Sequence, residues 1–147
     1  MYKHILIPTD GSETAEKGVQ AGLAFAKWAG ARVTVFTARP EYRMPGTSEV
    51  AAGRVMPIAE YERRSMEEAR KILDRVAQRA KAAQVEVDSD AALSDRPWHA
   101  IIQAAEKHGC DLIFIASHGR KGLSGLLYGS QTHDILTHST VPTLVYR

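Results

Sequence analysis

The sequence predicts one doubly wound α/β domain, a five-stranded parallel sheet with helices on both faces. Three observations lead there. Short continuous apolar runs recur at His4–Pro8, Val33–Ala38, Asp111–Ser117 and Val141–Tyr146, the pattern of strands covered on both faces. Between the runs, apolar residues recur at three- and four-residue steps, the pattern of amphipathic helices. The two patterns alternate, which implies parallel strands joined by helical crossovers. A chain of 147 residues suits a single domain spanning 1–147.

The elements follow in order. The first strand, His4–Pro8, ends in Pro8-Thr9-Asp10-Gly11-Ser12. Ala15, Gly18, Val19, Gly22, Leu23 and Ala26 then mark one face of a helix reaching about Trp28, closed by Gly30. The β-branched and aromatic run Val33–Ala38 is the second strand. Residues 39–57 hold three prolines, two glycines and no period, and read as an unstructured loop in preference to a lid. A long helix follows, with a stripe from Ile58 and Tyr61 through Ser65, Ala69, Ile72, Leu73 and Val76 to Ala80. Val85 begins a third strand that continues toward Leu93. Pro97 suits the first turn of the next helix, whose buried side is Trp98, Ile101, Ile102 and Ala105. Gly109 ends it. Asp111–Ser117 is the fourth strand, Ser130–His138 the last helix and Val141–Tyr146 the fifth strand.

Composition narrows the function classes. The apolar and charged fractions, 44% and 24%, are those of an ordinary soluble globule. No apolar run approaches the roughly 20 residues that span a bilayer. Met1-Tyr-Lys-His runs straight into Ile5, too short and wrongly flanked for a secretory signal, so a cytoplasmic protein is the expectation. The formal net charge is +2, with Lys and Arg interleaved with Glu and Asp, as in Arg63-Arg64 followed by Glu67-Glu68. That is a solvated helix face and not a nucleic-acid stripe. Cys110 is the only cysteine and reads as a small half-buried thiol.

In a doubly wound sheet, ligands bind beyond the carboxyl ends of the strands, where the strand order reverses. An order of 3-2-1-4-5 places that crevice between strands one and four. The turn at Pro8–Ser12 and the loop after strand four would then face the same space. That loop carries Gly119, Gly122, Gly125 and Gly129, followed by Ser130 at a helix start. Backbone amides at a helix N-terminus meet a phosphate well, and glycine lets the backbone approach. Arg120 and Lys121 add positive charge. A plainer reading stands beside this one: glycines make turns, and Ser130 is a good N-cap. Asp10-x-x-Glu13 likewise reads as a capping box for the first helix, or as a carboxylate that accepts from a base or ribose. The segment is neither a Walker loop nor a Rossmann fingerprint. The six histidines lack metal-ligand spacing, and no Ser–His–Asp constellation is present.

The segments "ILIPTDGS", "DLIFIASHGRKGLSGLLYGS" and "THSTVPTLVYR" together resemble the universal stress protein family over essentially the whole chain. The resemblance implies the five-stranded fold with order 3-2-1-4-5. It implies a homodimer in which the last strands, here Thr140–Tyr146, pair antiparallel. It implies binding of ATP or a related adenine nucleotide, with or without Mg²⁺. The ATP-binding members carry glycine, two residues, glycine, nine residues, glycine, then Ser or Thr. Here Gly119, Gly129 and Ser130 match, while the first position is Ala116. Ile115 and Gln131 flank the site by position. Pro8, Thr9 and Asp10 match the adenine- and ribose-contacting turn, and Ala38 matches the place where backbone groups meet adenine. Alanine at 116 adds one methyl, which costs about 1–3 kcal/mol where it overpacks a site and nothing where the ligand slides along it.

Two functions follow from different classes. One is a nucleotide-binding stress-response module acting through its dimer or partner proteins, with at most slow hydrolysis, since no tuned general base presents itself. The other is a nucleotide-free dimeric scaffold. A flavodoxin would share the Thr/Ser/Gly loop after strand one but needs aromatics to sandwich a flavin, and the response-regulator and adenylating-hydrolase readings match the loops poorly. The last strand, with Val141, Leu144 and Val145, should lie at a sheet edge that invites pairing, with Pro142 at its start.

Overall fold

The computed structural model describes residues 1–117 and 129–147. Along the chain lie β1 (His4–Pro8), α1 (Glu13–Ala29), β2 (Arg32–Arg39), α2 (Thr47–Ala51), α3 (Ile58–Ala83), β3 (Val87–Leu93), α4 (Pro97–Lys107), β4 (Leu112–Ala116), α5 (Ser130–His138) and β5 (Thr143–Tyr146). The sheet has the expected order β3-β2-β1-β4-β5, and every pair is parallel.

The central strands divide their side chains between two cores. Ile5, Ile7, Val33, Val35, Leu112 and Phe114 meet Val19, Leu23 and Ala26 of α1 and Leu73, Val76 and Ala80 of α3. Leu6, Phe36, Ile113 and Ile115 meet Ala100, Ile101, Ala104 and Ala105 of α4 and Ile135 of α5. Burial on both sides is why these strands read as unbroken apolar runs. Each such Ile, Leu, Val or Phe contributes about 1.5–3 kcal/mol on leaving water.

Three helices hand the chain to the next strand by the same device. A left-handed residue follows α1 (Gly30, φ 65°), α3 (Gln84, φ 60°) and α4 (Gly109, φ 64°). The next amide then reaches back into the last turn: Ala31 to Ala26 O at 2.9 Å, Val85 to Ala80 O at 2.9 Å, Cys110 to Ala105 O at 2.8 Å. Val85 is therefore spent on closing α3, and β3 begins at Val87 instead of the expected Val85. β5 likewise begins late, at Thr143. Pro142 stands just before it, where only its carbonyl is needed, accepting from Ile113 N at 2.8 Å.

Residues 39–57 are not the unstructured loop that their composition suggests. They contain α2 and fold back on α3. The Tyr61 hydroxyl donates to Pro40 O and the Tyr42 hydroxyl to Met56 O, both at 2.9 Å, and the two rings meet edge to face. Ile58 and Tyr61, expected in the buried stripe of α3, sit at its rim, and the buried residues begin at Ser65.

The β1–β4 ladder is short. Ile5 pairs with Leu112 and Leu6 with Ile113, and no register pair follows, although β1 runs to Pro8 and β4 to Ala116. The Asp111 carboxylate fixes the other end, accepting from Lys3 N at 2.8 Å and His4 N at 3.0 Å. Beyond Leu6 and Ile113 the two strands are left to part at their carboxyl ends.

Candidate functional site

A cavity of about 350 Å³ opens where β1 and β4 part. Its apolar lining includes Pro8, Phe36, Ala38, Ile101 and Ile115. Its polar lining comes from the turn into α1 (Thr9, Asp10, Ser12, Thr14), from Ser117, and from the start of α5 (Gly129, Ser130, Gln131, Thr132). Such a size and mixture suit a small organic ligand with a few polar anchors.

The turn after β1 is held by its own side chains. The Thr9 hydroxyl accepts from Gly11 N at 3.1 Å, and Asp10 Oδ1 accepts from Ser12 N at 2.9 Å. Gly11 takes φ 76°, a left-handed conformation that carries the chain around the bend. Ser12 is the residue that caps α1, its hydroxyl accepting from Ala15 N at 3.2 Å. The capping-box reading of Asp10 and Glu13 is thereby overturned. Glu13 is the first helical residue, not the third, and Asp10 stands outside the helix at the cavity wall.

Three helix N-termini converge on this end of the sheet, and they are satisfied differently. α1 has Ser12 as its cap and Glu13 and Glu16 in its first turn. α4 receives a side chain from α5, with Trp98 N donating to Gln131 Oε1 at 2.9 Å. α5 begins after Gly129, with no capping side chain among the described residues and no acidic residue in its first turn. Ser130 is thus not the cap; it is the first residue of the helix. The positive end of α5 therefore borders the cavity at Gly129–Gln131, with no capping side chain among the described residues.

The expected site residues mostly converge. Pro8, Thr9, Asp10, Ala38, Ile115, Ala116, Gly129, Ser130 and Gln131 all line the one cavity. Gly119 and Arg120, with His118 and Lys121, lie outside the described residues. Ala116 belongs to the wall, but its methyl turns away toward α1, opposite Gly18. Among the described lining residues Asp10 is the one charged side chain. No group of three His, Cys, Asp or Glu is arranged for a metal among the described residues.

Ser117 also lines the cavity and is buried, though nothing in the sequence had singled it out. The signal that could have found it is the period of two along β4, which carries Ile113, Ile115 and then residue 117 onto one face. Phe36, Ile101 and Thr14 were likewise missed as lining residues. Cys110 and His4 lie at the opposite end of the sheet, where each begins or precedes a strand. Burial pushes the Cys110 thiol up to about 11, so it is an inert packing group.

Known proteins match this architecture along the whole chain. Universal stress protein MJ0577 of Methanocaldococcus jannaschii is 29% identical over 156 residues, covering 100% of this chain and 96% of that protein. Its solved structure superimposes with a TM-score of 0.75 at 28% identity, over 99% of this chain and 95% of that one. Universal stress protein YxiE of Bacillus subtilis is 28% identical over 150 residues, the full length of both chains. The universal stress protein from Archaeoglobus fulgidus, solved in complex with dAMP, shares the fold at 18% identity, with a TM-score of 0.70 over 99% of this chain and 98% of that one. Among the described residues no helix is long and apolar enough to cross a membrane. The family model of the universal stress proteins matches residues 1–147, and the chain belongs to that family.

Proposed function

We propose that the chain is a nucleotide-binding module of the stress response that takes ATP or a related adenine nucleotide in the crevice between β1 and β4. The observation that carries the reading is the start of α5, which has no capping side chain among the described residues and lines the same cavity as the Asp10 turn. Amides of Gly129, Ser130 and Gln131 meet the phosphates. Asp10 accepts from ribose hydroxyls, and the apolar wall of Phe36, Ala38 and Ile101 takes the base. The Archaeoglobus relative's dAMP is a ligand of this chemical class.

The output is binding, not turnover. Asp10 is the one titratable group on the described wall, and one of its oxygens is engaged by Ser12 N. A Mg²⁺ ion would accompany a triphosphate and not a monophosphate. The module works in the cytoplasm as a homodimer joined through Thr140–Tyr146. β5 pairs with β4 on one side, and beside it Phe114 stacks on Tyr146 while Phe25 bridges Phe114 to Trp28. Trp28, 74% exposed, ends this chain of rings, and β5 is the last strand of the sheet.

The test is to purify the protein without added nucleotide, denature it and assay the supernatant for adenine nucleotide, then titrate the stripped protein with ATP and AMP. Released nucleotide approaching one per chain, or saturable binding, supports the module. Neither release nor binding leaves the nucleotide-free dimeric scaffold.

A further inference from the structure

We propose that Ser117 is a ligand-binding residue whose hydroxyl donates to a phosphoryl oxygen of the bound nucleotide; this rests on the nucleotide reading of the crevice.

Ser117 is only 5% exposed, and its Oγ has no hydrogen-bond partner among the described residues. Its backbone is fixed, with the amide donating to Tyr146 O at 2.9 Å. Four other polar side chains at the cavity have work within the chain. Thr9 Oγ1 holds Gly11 N, Asp10 Oδ1 holds Ser12 N, Ser12 Oγ holds Ala15 N and Gln131 Oε1 holds Trp98 N. Ser117 has no such task among the described residues. A buried hydroxyl without a partner is costly, and folded proteins rarely leave one. The remaining buried orphans, His4 Nδ1, Thr37 Oγ1 and Arg39 Nε, do not line this cavity, whereas Ser117 does.

Geometry and charge select the phosphoryl group over the sugar. Ser117 follows Ile113 and Ile115 on the face of the sheet covered by α4 and α5. It shares the cavity wall with the start of α5, whose positive end favours an anion and carries no capping side chain among the described residues. The Asp10 carboxylate stands on the turn into α1, repels an anion and suits hydroxyl donors.

The experiment compares native protein with Ser117→Ala, using calorimetric titration with AMP and with adenosine, and thermal unfolding without ligand. We expect about a tenfold loss of AMP affinity, the scale of one hydrogen bond to a charged group. Adenosine affinity is expected to be unchanged. The midpoint of the ligand-free variant is expected to be unchanged or higher, because an unsatisfied hydroxyl has been removed. Unchanged AMP affinity overturns the proposal and leaves the nucleotide reading standing. Equal losses for AMP and adenosine overturn the phosphoryl assignment. A lowered midpoint shows that the hydroxyl serves the fold and overturns it as well. A native protein that binds neither compound overturns both this proposal and the reading on which it rests.

Discussion

The methyl of Ala116 fills the space that Gly18 leaves open: a Cβ built on Gly18 would stand 2.3 Å from the Cβ of Ala116. Gly18 lies on the buried face of α1, and Ala116 ends β4 at the cavity wall. The methyl that departs from the family's glycine pattern is therefore housed against α1. Gly18→Ala should cost about 1–3 kcal/mol by overpacking. The double variant with Ala116→Gly should recover most of that loss. Urea unfolding of the two single variants and the double variant measures the coupling.

The same pairing predicts what Ala116→Gly does to nucleotide binding. Because the methyl faces α1 and not the ligand space, AMP affinity should change by less than about half a kcal/mol, roughly twofold. A gain of about tenfold or more in a titration would show that the methyl intrudes on the site after all.

Gly129 separates binding from folding. A Cβ at this position meets no described residue within 4 Å, and the backbone is extended. Gly129→Val should lower stability by only about 1 kcal/mol, the cost of a poorer N-cap residue, since it meets no clash among the described residues. The added side chain stands at the amides proposed to hold phosphate, so AMP affinity should fall by about tenfold or more. Parallel denaturation and titration of one preparation provide both numbers.

Stability should fall at both ends of the pH scale, for groups at the far end of the sheet. Burial, and next Arg32, hold the His4 imidazole below its ordinary range, with Nε2 and Thr34 Oγ1 hydrogen-bonded at 2.8 Å. A depressed folded value means stability that is present above the unfolded value near 6.5 and is lost as pH falls through the folded one. Cys110 is shifted the other way, up to about 11, chiefly by burial. Its contribution is present below the unfolded value near 9 and is lost as pH rises through 11, on the order of 2 kcal/mol. Cys110→Ala should flatten the alkaline limb of a stability–pH profile and leave the acid limb in place.

Trp28 tests the dimer. It is too exposed to matter much to the monomer, so Trp28→Lys should leave the unfolding of the single chain nearly unchanged. Sedimentation at micromolar concentration should show a dimer for the native protein and a weakened one for the variant. A native chain that sediments only as monomer removes the proposed interface.

What was legible in the sequence was what burial writes into it. β1, β2 and β4 stand out because both faces are covered, and α1 and α4 end at glycines that take the left-handed conformation. The end of α3 was obscured because Gln84, not glycine, takes that position. The 40–56 segment was opaque because tyrosine hydroxyls on distant carbonyls hold it, contacts with no period. Asp10 and Glu13 mimic a capping box, and the left-handed Gly11 moves the cap to Ser12. Most of the cavity wall was read from family-matched positions, whereas Ser117 escaped because a lone serine at a strand end carries no motif. Its significance appears only when its hydroxyl is found buried beside a cavity and without a partner among the described residues.

If the start of α5 and the turn after β1 grip one nucleotide between them, both must respond to it together. Titrating isotope-labelled protein with AMP and following backbone amide resonances tests this most directly. Saturable shifts are expected at Ser130 and Gln131 together with Gly11 and Ala38, at a single apparent affinity. Shifts confined to the 40–56 segment or the outer face of α3, or none at millimolar AMP and ATP, would contradict it.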